Sequence, residues 1–515
     1  MDPVELSLFA SRLEAICDEM GATLRRTAFS PNIKDRLDFS CAIFDDQGEL
    51  CAQAAHIPVH LGSMAYAMRD IVNKVDWREG DMLVVNDPFL GGTHLPDVTL
   101  ISPVFIDGLL VSFIANRAHH ADIGAQSPGS MPISSSLEEE GLVIPPTLFI
   151  KGGQLDTAIF SQIIGVKQNA VEGEGDITAQ ISANRIGVGG LVELIKSVSI
   201  NQYAHALLEL NDYAHRLAAA ALHAIPDGDY AFNDLLDDDG MGNKDIKIVV
   251  AINVDQENIF VDFSGTAAQV TGNINCPLSV AAAAVYYVFR CMMPTHTPAC
   301  AGSFRSISLY APEGCLLNAQ RPAAVAAGNV ETSMRIVDVI IGALAQAVPA
   351  LMPAASQGTM NNLAMGAHDT SNPQGKAWDY YETIGGGMGA SQHADGLSAV
   401  QTHMTNTLNT PVEVLEMAYP VRVSRYEINR GSGGKGHHTG GDGIVREFTF
   451  LDSTHVSLIT ERRQHAPWGI SGGNAGLTGE NLLNGKTLPA KLSMEFKAGD
   501  CLTIKTPGGG GWGKA

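Results

Sequence analysis

The 515-residue chain carries no basic stretch. Lys plus Arg number 33 against 55 Asp plus Glu, a formal charge of −22. Phosphate backbones are held by positive fields, so nucleic acid is not an expected partner. No Cys-x-x-Cys pair occurs among the eight cysteines, Cys17, Cys41, Cys51, Cys276, Cys291, Cys300, Cys315 and Cys501. A chain this long needs no disulfide staples, and reduced thiols in a cytoplasmic protein are the expectation. Apolar runs are short as well. The longest, residues 278–289, holds Ser279 and falls short of a bilayer's thickness, so no membrane is expected. The opening Met1-Asp2-Pro3-Val4-Glu5 offers neither the basic nor the apolar part of a signal peptide.

What is present describes a globular chain. Hydrophobic residues make up 45% and charged residues 17%, enough for one large core or two ordinary ones. Glycine is abundant, with 54 residues, so sharp turns and close backbone approaches should be frequent. Leu6, Phe9, Leu13, Ile16 and Met20 recur at helical spacing and predict a helix over residues 3–28. Strand-like pieces follow at 39–44, 82–85, 99–101 and 109–116, the last leading into His119-His120. Residues 182–224 read as helix, and Pro226-Asp227-Gly228-Asp229 as a turn and boundary. Beyond it, 246–252 and 259–263 suggest a hairpin, 280–289 and 330–347 helices, and 444–450 a strand in a glycine-rich setting. The expected architecture is mixed α+β with glycine-rich loops and a β-rich C-terminal region. An N-terminal α/β region, 1–226, would carry the site loops. An α+β region, 227–515, would carry polar pocket segments and the glycine-rich β tail.

One constellation stands out. Residues 86–97 form a glycine- and proline-fixed loop between two apolar strands, ending in His94-Leu95-Pro96-Asp97. His119 follows at the end of a later strand. Imidazole and carboxylate together suit Zn²⁺, Mn²⁺ or Fe²⁺, and Asp38 is a candidate fourth ligand. The alternative is that these side chains only satisfy hydrogen bonds in a loop. His120 is a candidate for orienting a ligand or moving a proton.

Other patterns carry less. Residues 385–390 and 431–436 match the letters of a dinucleotide fingerprint but lack its strand-turn-helix setting, and no phosphate-loop motif occurs. Residues 237–243 resemble a calcium loop without the required glutamate, so a solvated turn is expected. Gly469-Ile470-Ser471-Gly472-Gly473 spells a nucleophile elbow with no strand leading in. Cys276 reads as a buried structural thiol. Among polar clusters that mostly cap helices and close turns, Glu331, Glu382 and His403 are the acid–base candidates.

Taken in order, several segments resemble the hydantoinase B family, which includes B subunits of ATP-dependent hydantoinases and 5-oxoprolinases. They are Asp38-Phe39-Ser40-Cys41-Ala42, residues 54–64, residues 86–97, and Ala115-Asn116-Arg117-Ala118-His119-His120-Ala121-Asp122. Pro128-Gly129-Ser130-Met131-Pro132, residues 261–266, 326–332, 385–390, 405–411 and the glycine-rich tail continue the series. The resemblance is also to acetone and acetophenone carboxylase subunits. It implies a hetero-oligomer with an actin-like ATPase A subunit that would carry ATP and Mg²⁺ and phosphorylate a small cyclic amide or ketone. It further implies a divalent metal on His94, Asp97 and His119, with Asp38 added as in lactam-hydrolysing relatives. The expected reaction is hydrolysis of the activated cyclic amide, with His120, Glu382 or Glu331 handling the proton. Two other readings stand beside it: a subunit of an acetophenone-type ketone carboxylase, and a non-catalytic scaffold for the ATPase.

Overall fold

The computed structural model describes residues 2–54, 57–367 and 377–515. Ala55 and His56 of the family-like segment 54–64 lie outside the described residues. The first helix, α1 (Pro3–Thr27), starts in a capping box. Asp2 accepts the Val4 and Glu5 N–H groups, and Glu5 returns a bond to the Asp2 N–H. Its predicted apolar face, Phe9, Leu13, Ile16 and Met20, is buried.

Seven strands follow as one antiparallel sheet: β1 (Phe39–Asp45), β2 (Leu50–Gln53), β3 (Met82–Val85), β4 (Asp97–Ile106), β5 (Leu109–His119), β6 (Thr147–Lys151) and β7 (Gln154–Leu155). Their order is β2-β1-β5-β4-β3-β6-β7. The helices of this region are α2 (Pro31–Lys34), α3 (Pro58–Val72), α4 (Thr157–Gly165), α5 (Ala170–Val198) and α6 (Ile200–Leu222). Strand alternation divides the side chains between two layers. Cys41, Ile43 and Ile114 pack with Leu13, Met20 and Leu191 of α1 and α5. Ala42, Phe44 and Phe113 pack with Met64 and Met68 of α3. The single helix expected over 182–224 is two. Ser199, at φ 89°, breaks the chain between α5 and α6 and accepts the Gln202 N–H at the start of the second.

The next sheet contains β8 (Gly228–Asp238), β9 (Lys244–Asp255), β10 (Asn258–Asp262) and β11 (Ile307–Tyr310), in the order β11-β10-β9-β8. The predicted hairpin is β9 with β10. Helices α7 (Leu278–Met292) and α8 (Ser333–Ala347) pack against this region, and α8 is preceded by a π-helical turn, Gly328–Thr332. The largest core joins Ile57, Val59 and Met131 to Ile248, Val280, Ile336, Met360 and Met404, so residues from both sides of position 226 share it. Asp237 departs from the solvated turn expected there. It is buried and accepts backbone N–H bonds from Arg463, Gln464 and His465.

The C-terminal region is β-rich, as its composition implies. It holds β12 (Asn362–Ala367), β13 (Trp378–Glu382), helix α9 (Val412–Ala418), β14 (Val421–Asn429), β15 (Gly443–Phe450), β16 (Thr454–Ile459), β17 (Glu480–Leu483), β18 (Lys486–Thr487), β19 (Lys491–Phe496) and β20 (Cys501–Lys505). Two sheets result, β13-β12-β16-β19 and β14-β15-β20-β17-β18. The glycine runs lie backbone on backbone. The Gly434 N–H donates to Gly509 O at 2.8 Å, and a Cβ on Gly440 would stand 2.0 Å from the same oxygen. No helix starts directly after residues 385–390 or 431–436, and residues 469–473 lie in a loop. Close packing therefore accounts for these motifs.

Candidate metal centre

Three neighbouring strands end together at one edge of the seven-stranded sheet. Asp97 opens β4, His119 closes β5, and the two are register partners. Asp38 precedes β1, and its carbonyl accepts the His119 N–H at 3.0 Å. The loop before β4 is held by Asn86, whose amide donates to Leu95 O and Leu142 O at 2.8 and 2.9 Å. Gly92 lets that loop close, since a Cβ there would stand 2.2 Å from Asn86 O. This folding brings His94 back over Asp97.

Asp97 is the hub. Its Oδ1 lies 3.2 Å from His94 Nε2 and 3.1 Å from His119 Nδ1. Its Oδ2 lies 3.2 Å from His60 Nε2 and accepts from Thr93 Oγ1 at 2.5 Å and Asn329 Nδ2 at 3.2 Å. All these side chains are buried. Burial works to raise the Asp97 carboxyl, but His60, His94 and the bond from His119 outweigh it and hold it well below the usual range. Burial lowers His119 despite Asp97, whereas in His94 the pull of Asp97 overcomes burial and raises the imidazole.

Hydrogen-bond directions test whether a cation belongs here. His94 Nδ1 faces Ala326 O at 3.0 Å and must donate to it. That leaves a lone pair on Nε2 of the neutral ring, 3.2 Å from a carboxylate oxygen. His94 Nε2 and His119 Nε2 are both buried without a hydrogen-bond partner. Such orphaned acceptors are costly unless a proton or a cation lies between them. His94, Asp97 and His119 offer ligand atoms all within 4.8 Å of one another, a possible metal-binding group of two nitrogens and one oxygen.

Beside the cluster is a cavity of about 20 Å³ lined by Asp38, His60, His94, His119, Asn329 and Tyr381, with apolar walls from Val330, Met360 and Met404. It has room for one water-sized body. Tyr381 stacks on His119, and the Arg36 Cζ also lies over the tyrosine ring, 4.9 Å from its centroid.

The remaining predicted residues are distributed unevenly. Asp38 lines the cavity, 4.0 Å from His60 and 3.8 Å from Arg36. His120 turns to the opposite face of β5, toward Gln180 Oε1 at 2.9 Å and Lys167 Nζ at 3.4 Å. Burial, then Lys167, holds it well below its ordinary value. Glu331 sits in the π-helical turn and accepts from Met360 N at 3.0 Å and Asn362 Nδ2 at 2.6 Å, while Asn362 Oδ1 accepts from Tyr381 OH. Glu382 lies on the far face of β13 from Tyr381, 2.9 Å from Arg446. His403 faces Tyr287 and Asp338. Asn329 and Tyr381 fall in polar clusters read chiefly as helix caps and turn closers, and His60 in the family-like segment 54–64, so none of the three was assigned to the centre. His60 sits in the first turn of a helix that opens with Pro58.

The profile of the hydantoinase B/oxoprolinase family matches residues 2–515. The chain belongs to this family. As a hydantoinase B/oxoprolinase member it is 40% identical to 5-oxoprolinase 1 of Arabidopsis thaliana over 99% of its own length and 42% of that protein's. It thus spans about two-fifths of that relative. An ATP-dependent caprolactamase from Pseudomonas jessenii shares the fold, with a TM-score of 0.92 and 28% identity over 100% of this chain and 91% of that one. Acetone carboxylase in its nucleotide-free form has a TM-score of 0.88 at 16% identity, over 100% and 76%, a likeness of fold. Among the described residues no helix is long and apolar enough to cross a membrane.

Proposed function

We propose that this chain is the B-type component of an ATP-dependent hydrolase of cyclic amides, and that its reaction takes place at the Asp97 cluster. The observation that carries this is a pair of buried, unpartnered imidazole nitrogens, His94 Nε2 and His119 Nε2, on two rings that both reach Asp97 Oδ1, His94 through Nε2 and His119 through Nδ1. His94, Asp97 and His119 would hold a divalent ion, zinc or manganese or iron, with Asp38 at the cavity wall as a further ligand. The ion would supply Lewis acidity and a water made acidic near neutral pH.

A cyclic amide is a poor electrophile. Phosphorylation of its oxygen by an actin-like ATPase partner, which would bind the ATP and Mg²⁺, would make the carbon an electrophilic O-phosphorylated imidate. Addition of water there and departure of the protonated ring nitrogen would open the ring to an acyl phosphate, and a second water would release phosphate and leave the carboxylate. The chain's own residues then do the rest. Asp97 fixes the imidazoles, Tyr381 and Val330 exclude bulk water, and a neighbouring acid–base group manages the proton. Of His120, Glu331 and Glu382, we favour Glu331, because its neighbours Val330 and Met360 line the cavity. Burial, reinforced by Glu461, pushes its carboxyl up to about 8, so at neutral pH it holds a proton suited to a departing ring nitrogen.

The test is metal analysis of the wild-type chain beside His94→Ala, Asp97→Ala and His119→Ala. The expected result is stoichiometric metal in the first and loss in the other three; equal content in all four removes the site. With the ATPase partner added, the wild type should open a lactam or hydantoin ring with ATP consumption, and His94→Ala should not while still binding the partner. ATP turnover that requires bicarbonate would move the assignment to carboxylation.

A further inference from the structure

The strap of residues 321–331 is tied to the loop of residues 86–97 at three points. Arg321 pairs with Asp87, Ala326 O accepts His94 Nδ1–H at 3.0 Å, and Asn329 Nδ2 donates to Asp97 Oδ2 at 3.2 Å. The middle tie is the informative one. A carbonyl on Nδ1 decides which nitrogen of His94 carries the proton, and so turns the Nε2 lone pair toward Asp97 and His119. What holds that carbonyl in place therefore bears on the centre.

Two asparagines and one glutamate hold it. Asn275 Nδ2 donates to Ala324 O at 3.0 Å, and the Ala327 N–H donates to Asn273 O at 2.9 Å. Between them, Glu140 Oε1 accepts the Val325 N–H and the Ala326 N–H, both at 2.9 Å, and Ser134 Oγ–H at 2.8 Å. Glu140 is fully buried at the end of a 3-10 turn, Leu137–Glu140. Burying a carboxylate is costly, and packing alone would be met as well by an apolar side chain. The two consecutive amides it accepts lie immediately before the carbonyl that orients His94, on Val325 and on Ala326 itself.

We propose that Glu140 is a positioning residue of the metal centre: it fixes the Val325–Ala326 backbone so that Ala326 O sets the tautomer and aim of His94. It acts through the backbone and is not itself a ligand. The proposal rests on the metal reading of the Asp97 cluster. A glutamine can still accept both amide bonds through its Oε1, whereas leucine cannot, and aspartate is one methylene too short to reach them.

The experiment measures Zn²⁺ affinity and release rate of the full chain, by competition with a chromogenic chelator. The variants are Glu140→Gln, Glu140→Asp and Glu140→Leu. Ile163→Ala, a truncation on α4 in the core that also holds Val325 and Leu137 but with no part in the strap's hydrogen bonds, is the control for lost packing and stability. Outer partners of metal-bound histidines are worth about 10–100-fold in affinity. Glu140→Leu and Glu140→Asp should each weaken Zn²⁺ binding by roughly that range and speed its release, with Glu140→Gln within about threefold of wild type. Ile163→Ala should lose thermal stability and keep wild-type affinity. If Glu140→Leu does not fold, Glu140→Asp against Glu140→Gln gives the same comparison. Wild-type affinity in the aspartate or leucine variant overturns the role of Glu140 alone, as does an equal loss in Ile163→Ala. A wild-type chain that binds no Zn²⁺ overturns the metal centre and the role with it.

Discussion

Tyr381 lies flat against His119, with ring centroids 4.8 Å apart and planes 17° apart. Its hydroxyl donates to Asn362 Oδ1 at 2.7 Å. The tyrosine therefore does two separable jobs: its face holds an imidazole, and its edge satisfies a buried amide.

Substitution separates them. Tyr381→Phe keeps the stack and leaves Asn362 Oδ1 without its donor, at a cost of about 1–3 kcal/mol. Its metal content should equal that of the wild type. Tyr381→Ala should lower both stability and metal retention. Urea unfolding with metal analysis of each variant checks the pair, and a phenylalanine variant that drops its metal would show the hydroxyl to matter at the centre.

Chelation should destabilise the protein through mass action. Removing an ion that binds only the folded chain lowers unfolding free energy by about 2.7 kcal/mol where it had been present at a hundredfold excess over its Kd. Thermal melts with and without chelator should therefore diverge for wild type and coincide for His94→Ala. A chelator effect of equal size in both would place the ion elsewhere.

Glu331 gives a pH dependence of definite sign. Its folded-state value of about 8 lies above the ordinary 4.5, so the folded chain holds that proton more tightly than the unfolded chain. The resulting stability is complete below the ordinary value and is lost as pH rises through about 8. Wild type should therefore lose stability relative to Glu331→Gln over that interval. Urea midpoints of both proteins across the range check this; parallel profiles would contradict it.

Glu382 separates structural from chemical importance. It lies 2.9 Å from Arg446, accepts Tyr380 OH at 2.8 Å, and is fully buried. Glu382→Ala strands the guanidinium and should cost about 3–5 kcal/mol in unfolding free energy. A variant of wild-type stability that has lost only turnover would instead mark Glu382 as a proton carrier.

The sequence carried the parts of the centre that are local. His94 and Asp97 are three residues apart on one glycine-fixed loop, and His119 ends an apolar strand, so spacing and context exposed them. His60, Asn329 and Tyr381 arrive from a helix start, a π-helical turn and an edge strand far along the chain, and no spacing ties them together. Alternation predicts that Tyr381 and Glu382 face opposite ways, but which one meets the histidines is decided by how two sheets pack. The α1 face was legible because its period is unbroken. The break at Ser199 was not, because helical patterning continues on both sides of a single residue with positive φ.

The glycine segments have a consequence for how this chain can vary over generations. Where one backbone lies directly on another, as at Gly440 and Gly509, even a single methyl group has nowhere to go. A saturation library should thus be permissive across the acidic surface and nearly blank along these seams. Descendants of the sequence are free to redesign what they meet outside, while the seams that join the C-terminal sheets stay written in one letter.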